Sequence, residues 1–256
     1  MVRTSNIFKS CFTGLFKHSS NKNYFLENNN FEVRKIEGRI IEAYIGEYAS
    51  GKSENAINRA VELREQGRKV TLVDLDLVEP FYTLRPLKKQ LEELGINVIA
   101  WETRETMGLG EAGSILKPEM KWVLRREYDI ILDIGYGVEG AKTFNLIEGA
   151  ADNKELKIFA VVNTSRPMTA SVEDIVEYVE RLGKVDGLIN NTHLGDETDW
   201  DIIEEGAEII SEVSKELDIP VIYTAADEKL KDMGIVTDKQ GIPVKYIHRY
   251  MPHSFW

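Results

Sequence analysis

Between Arg39 and Leu63 the chain reads as a strand, a glycine-bounded loop and a helix in immediate succession, and this constrains the fold more than any other stretch. Arg39-Ile-Ile-Glu-Ala-Tyr-Ile45 is short and rich in β-branched and aromatic residues, and Gly46-Glu-Tyr-Ala-Ser-Gly51-Lys52-Ser53 follows it. The spacing G-x-x-x-x-G-K-[ST] is that of a phosphate-binding loop. Its glycines let backbone N–H groups turn inward on a polyphosphate, and the next helix adds its positive end. Ala56, Ile57, Ala60, Val61 and Leu63 then recur as an apolar helical stripe, so the motif has the strand and helix it requires. The loop residues Gly46, Glu47, Tyr48, Ala49, Ser50 and Gly51 are expected to cradle phosphates. Lys52 is expected to reach the β and γ phosphates, and Ser53 to bind Mg²⁺.

Further strands end in acidic residues. Lys69–Asp74 is a second strand, and Asp74-Leu-Asp76 leaves its carboxyl end with two carboxylates two residues apart, facing where an α/β sheet presents its ligand. Solvated loop acids are the alternative. A helix over Pro86–Leu94 and a strand over Asn97–Trp101 come next. Gly108-Leu-Gly110-Glu-Ala-Gly113 has the form G-x-G-x-x-G but does not directly follow its strand, so it reads as a loop beside the site. After a helix over Pro118–Arg126, Tyr128-Asp-Ile-Ile-Leu-Asp133 is a buried strand closing on a carboxylate suited to Mg²⁺. Gly137 behind it would let a backbone N–H approach the γ-phosphate.

The remainder alternates: strand Lys157–Val162, helix Thr169–Leu182, strand Gly187–Asn190, helix Asp201–Leu217, strand Val221–Tyr223 and an extended segment Pro243–Tyr250. Alternation predicts an α/β fold of three layers, a mainly parallel central sheet with helices on both faces.

Composition narrows the function classes. The net charge is −11, and the first 22 residues carry four basic side chains and no acid, which leaves −15 on the rest. An acidic body disfavours nucleic acid as a direct partner. Cys11 is the only cysteine, which excludes an internal disulfide and an all-cysteine metal site within one chain, and the four histidines show no metal-ligand pairing. Residues 1–35 read as a tail and 36–256 as the domain. In the tail, Ile7, Phe8, Cys11, Phe12, Leu15 and Phe16 fall at helical spacing with Lys9 and Lys17 beyond the stripe. Such a helix could touch an anionic membrane or a partner, pack on the body, or be only locally formed. No apolar run is long enough to cross a bilayer and no secretory signal is evident, so a cytoplasmic location is expected.

With these pieces in place the chain resembles the P-loop NTPases of the SIMIBI class, the MinD/ParA/CobQ group, over about Arg39–Asp227. The resemblance rests on the phosphate loop, on Asp74-Leu-Asp76, on Ile131-Leu-Asp133 with Gly137, and on Leu188-Ile-Asn190-Asn191. It implies ATP and Mg²⁺ as ligands. By the same resemblance Asp76 helps orient the attacking water, Asp133 with Ser53 and Asp74 serves the metal, and Asn191 reads adenine, with Asn190 its rival. One departure stands out: relatives that close as ATP-sandwiched dimers carry a lysine where this chain has Glu47. A guanine-reading [NT]-K-x-D element is missing, since Asn153-Lys-Glu-Leu156 lacks the final Asp.

The resemblance implies a slow ATPase acting as a nucleotide-dependent switch, with a homodimer or a protein client as possible partners. Two alternatives stay open. One is a small-molecule kinase or ATP-dependent ligase of the dethiobiotin synthetase or CobQ type, with Arg85, Lys88 or the Gly110 loop holding an anionic acceptor. The other is a non-hydrolysing ATP-bound adaptor.

Overall fold

The computed structural model describes residues 38–76, 84–101 and 116–251, and Arg39–Trp256 forms one compact unit. The expected tail helix, the Gly108–Gly113 stretch and residues 77–83 after Asp76 lie outside the described residues.

Among the described residues eight strands form one sheet: β1 (Ile41–Gly46), β2 (Val70–Leu75), β3 (Asn97–Ile99), β4 (Asp129–Ile134), β5 (Leu156–Val162), β6 (Gly187–Asn190), β7 (Val221–Asp227) and β8 (Val244–Ile247). Their order is β3-β2-β4-β1-β5-β6-β7-β8, and every neighbouring pair is parallel. Parallel neighbours need crossover connections, so helices cover the sheet: α1 (Lys52–Glu65), α2 (Lys88–Glu93), α3 (Pro118–Lys121), α4 (Gly137–Ala141), α5 (Val172–Leu182) and α6 (Trp200–Leu217).

Strand residues alternate between two cores. Ile41, Ala43 and Ile45 of β1 join Leu132 of β4, Ile175 and Val179 of α5, and Ile210 and Val213 of α6 on one face. Tyr44 of β1 and Ile131 of β4 join Ala56, Ile57, Ala60 and Leu63 of α1 on the other. A central strand such as β2 is buried at all six positions, as strands covered on both faces must be. Each fully buried aliphatic side chain there contributes about 1.5–3 kcal/mol relative to exposure.

Helix ends follow local chemistry. Ser171 caps α5 by accepting from the Asp174 N–H at 3.2 Å, and Asp199 caps α6 by accepting from Ile202 N–H at 3.0 Å. The expected helix starting at Thr169 is therefore split, with a 3₁₀ turn over Pro167–Thr169 ahead of the cap. The expected Pro118–Arg126 helix likewise gives way to a 3₁₀ turn over Val123–Arg125. β7 runs on to Asp227 because β8 pairs alongside its last four residues. The short helix α4 has no sequence counterpart, since two glycines in five residues are poor helix formers. Its Gly140 is needed for a different reason: a Cβ there would lie 2.0 Å from the Gly135 carbonyl oxygen.

From β1 the chain goes to one side, through β2 to β3 at the sheet edge and back to β4 beside β1, then crosses to the other side and moves outward through β5 to β8. This reversal beside β1 is where an open parallel sheet forms its ligand crevice, beyond the strands' carboxyl ends. The loop after β1, Asp76, Asn163, Asn191 and residues 248–251 all emerge at that edge.

Candidate functional site

The loop Gly46–Ser53 is shaped by its backbone. Gly46 closes β1, and a Cβ on it would lie 2.4 Å from Ser50 Oγ and 2.5 Å from the Val161 carbonyl oxygen, so only glycine fits. The Ser50 N–H donates to the Glu47 carbonyl at 3.1 Å and tightens the turn. Ala49 (φ 57°) and Gly51 (φ 85°) are both left-handed. Changes of backbone hand of this kind curl successive N–H groups into a concave nest for an anion. Gly51 sits at the N-cap of α1 without any side-chain cap, so the helix offers its first amides to the same concavity.

Charged side chains gather beneath the nest. Lys52 is buried, and its Nζ lies 3.8 Å from Asp76 Oδ2. Asp74 Oδ1 accepts from the Asp76 N–H at 3.1 Å, and its Oδ2 lies 3.6 Å from Arg85 Nε. The β2–β4 register sets Asp74 beside Asp133. Asp133 is fully buried, and among the described residues neither of its carboxylate oxygens has a partner at full hydrogen-bonding geometry, the Ser53 hydroxyl being the nearest candidate. Burial, reinforced by the charges of Asp74 and Asp76 against the pull of Lys52 and Ser53, pushes its pKa up to about 8.

A buried carboxylate left with empty lone pairs fits a divalent cation. Among the described residues no three acidic, histidine or cysteine side chains converge as a ready-made metal cage. Mg²⁺ takes one or two protein oxygens and fills its shell with water and substrate phosphates. Asp133 and the Ser53 hydroxyl are the groups that would hold it, with Asp74 at one remove.

The side of the loop toward α4 is aromatic. Tyr136 packs edge-to-face on Tyr48 with ring centroids 5.5 Å apart, and its ring centre is 5.9 Å from Lys52 Nζ. Gly137 (φ 70°) opens α4, and the Glu47 carboxylate lies 3.8–3.9 Å from where a Cβ on Gly137 would be. Glu47 Oε1 also accepts from the Tyr48 N–H at 2.9 Å.

A cleft extends from this loop along the sheet edge, lined by Tyr48, Lys52, Ser53 and Asp76 at one end and by Asn191, His193, Asp227, Arg249 and Met251 at the other. The two asparagines after β6 separate cleanly. Asn190 is fully buried: its Nδ2 donates to the Ile203 carbonyl (3.3 Å) and Thr224 Oγ1 (3.4 Å), while its Oδ1 accepts from the Thr192 N–H and hydroxyl. Asn191 instead lines the cleft. Its Nδ2 donates to the Ser50 carbonyl at 2.7 Å, and a Cβ on Gly51 would fall 2.0 Å from it. Because a carbonyl only accepts, the atom facing Ser50 must be the amide nitrogen, and the Asn191 oxygen is left for the cleft.

Several participants went unread in the sequence. Asn163, fully buried at the end of β5, holds the 193 region with both ends of its amide, donating to the His193 carbonyl (3.1 Å) and accepting from the His193 N–H (3.1 Å). The same Nδ2 lies 3.4 Å from the Ala49 carbonyl and so ties the phosphate loop to that region. His193 Nδ1 accepts from the Gly195 N–H at 3.3 Å, which places its proton on Nε2. Burial, helped by Arg166 and Arg249, pushes its pKa down to about 4, so the ring is neutral. An asparagine closing an apolar strand was the one available signal for Asn163. Nothing local marked His193 or Arg249.

No family model and no curated protein matches the chain. Solved structures do. The signal recognition particle receptor FtsY from Elizabethkingia anophelis superimposes with a TM-score of 0.54 at 17% identity, covering 77% of this chain and 61% of that one. Cell division protein FtsY from Thermotoga maritima gives 0.51 at 17% identity, covering 76% and 64%. The Elizabethkingia receptor in complex with GDP gives 0.50 at 17%, covering 78% and 61%. The fold is the one these solved structures share. The chain spans less than two thirds of the length of those proteins. Within it, the nest and the buried charges lie where β1 turns into α1, at the reversal of strand order.

Proposed function

We propose that this protein binds an adenine nucleotide with Mg²⁺, hydrolyses ATP slowly and uses the bound state as a switch. The observation that carries the reading is the joining of an anion nest to the orphaned carboxylate of Asp133 beside Lys52. Triphosphate and cation together satisfy both.

Phosphoryl transfer to water asks the protein for positioning and charge compensation more than for covalent chemistry. The loop amides and the Lys52 ammonium would hold the β and γ phosphates. Bound Mg²⁺ would supply neutralisation of charge on the phosphate oxygens. Asp76, held 3.8 Å from Lys52, would orient the attacking water. Gly137, the first residue of α4, would meet the γ-phosphate and register its loss.

The adenine preference rests on Asn191. With its amide nitrogen fixed on the Ser50 carbonyl, it offers an acceptor to the cleft, which suits the 6-amino group of adenine and opposes the 6-oxo group of guanine. A guanine nucleotide is the second reading. The FtsY of one neighbour is solved with GDP, and the Asp227 carboxylate lines the nucleoside end. That carboxylate is otherwise engaged, however, capping the Lys229 N–H at 2.9 Å and lying 3.8 Å from Arg249.

Titration of the purified full chain with ATP and with GTP, each with Mg²⁺, followed by phosphate release, tests the proposal. Tighter ATP binding with slow release, abolished in Lys52→Ala, supports it. Preference for GTP transfers the account to the second reading.

A further inference from the structure

We infer that Arg249 is a nucleoside-binding residue that closes the far end of the cleft, and that Asp196 holds it closed. The inference rests on the nucleotide reading above and assigns a role to a segment that the loop motif does not reach.

After β8 the chain leaves the sheet, and residues 248–251 run back over the first turns of α1. Two α1 side chains one turn apart fasten this strap by its backbone. Asn58 pairs with both the N–H (2.9 Å) and the carbonyl (2.8 Å) of His248, and Glu54 accepts from Tyr250 N–H (2.9 Å) and Met251 N–H (2.7 Å). Since α1 begins in the nest, the strap is set at a fixed distance from the phosphates.

Arg249 lies between these anchors, and its side chain lines the cleft with Ile247 and Met251. Its Nη1 lies 2.5 Å from Asp196 Oδ1 and 3.8 Å from Asp227 Oδ2. Asp196 belongs to the loop after Asn191, whose Gly195 and Thr198 line the same cleft although Asp196 does not. The ion pair thus joins the strap to the opposite loop across the mouth. A planar guanidinium at a rim is suited to cover the face of an aromatic base, which an ammonium would do less well.

The pair is exposed on the Asp196 side, 80% by side-chain area. Exposed pairs add little to fold stability. Breaking this one therefore leaves the fold standing and shows in ligand release.

The test uses the full chain loaded with N-methylanthraniloyl-ADP and Mg²⁺, chased with unlabelled ADP. Asp196→Lys sets a cation against Arg249 and is expected to speed release about 5–10-fold at about 0.05 M salt, the gap closing near about 0.5 M as the ion pair is screened. Arg249→Ala is expected to release at least as fast with an unchanged thermal midpoint, and Asp196→Glu to restore the wild-type rate. The labelled triphosphate should show the same acceleration, because the clasp acts at the nucleoside end. Release from Asp196→Lys at the wild-type rate in low salt overturns the inference, as does an acceleration indifferent to salt. Wild-type protein that binds no nucleotide defeats the underlying reading, whereas normal binding with unaltered release from Asp196→Lys defeats only the clasp.

Discussion

The phosphate end of the cleft is made largely from eight consecutive residues, Gly46–Ser53, and its shape is set by backbone hand and by glycines that admit no side chain. The nucleoside end takes side chains from stretches as far apart as Asn191–Thr198, Ala225–Asp227 and Ile247–Met251. At the first end main-chain amides do the work, which any chain with the right turns can supply. The second depends on which side chains three strand ends bring together. The proposed phosphate and nucleoside ends therefore draw on different kinds of structure, and they should respond separately to substitution.

Lys52→Ala should produce the largest effect. Losing a buried cation among three carboxylates along with its charge-assisted phosphate contacts should weaken ATP binding by more than about 3 kcal/mol, over a hundredfold. Calorimetry reads this directly, and an equal loss of adenosine binding would blur the separation of the two ends.

His193 predicts a pH effect at the other end. Its pKa falls from 6.5 to about 4 on folding, so between these values the unfolded chain takes a proton that the folded chain refuses. Stability fully present above pH 6.5 is lost as pH falls toward 4, by about 3 kcal/mol in total. His193→Gln removes that part of the acid loss, which denaturant titrations of the unliganded protein across this range would show as a flatter profile than wild type.

Gly51→Ala probes the one place where the ends touch. The left-handed backbone and the overlap with Asn191 should cost about 2 kcal/mol of stability, read as a lowered denaturant midpoint. Nucleotide affinity should fall with it, since the Asn191–Ser50 bond must shift.

The smallest effect is expected from Asn191→Ala. Removing the acceptor should reduce the preference for ATP over GTP about tenfold, or ~1.4 kcal/mol, with absolute affinity for the shared triphosphate changed less. Competition between the two nucleotides for the labelled probe measures it.

This contrast also explains what the amino-acid order revealed. The parallel sheet was legible because strands such as β2 and β4 are short, mainly apolar stretches alternating with helical segments, and the loop because its whole geometry is local. Asp74, Asp76 and Asp133 could be placed because each ends a strand next to β1 or its neighbour. The choice between Asn190 and Asn191 could not be made, since successive residues point oppositely and a one-residue difference decides which faces α6 and which the cleft. Helix α4 was hidden by its glycines, of which Gly140 makes a close approach to Gly135. Arg249 and His193 were hidden because their partners, Asp196 and Asn163, are tens of residues away.

The central claim is that a nucleoside triphosphate seats its phosphates in the amides of Gly46–Ser53 with Mg²⁺ on Asp133 and Ser53. Isothermal titration of the full chain with ATP, with and without Mg²⁺, tests this most directly. The account predicts saturable one-to-one binding that strengthens with Mg²⁺ in wild type, and loses that strengthening in Asp133→Asn. Absence of binding by ATP and GTP alike, or an Mg²⁺ effect undiminished in Asp133→Asn, would contradict it.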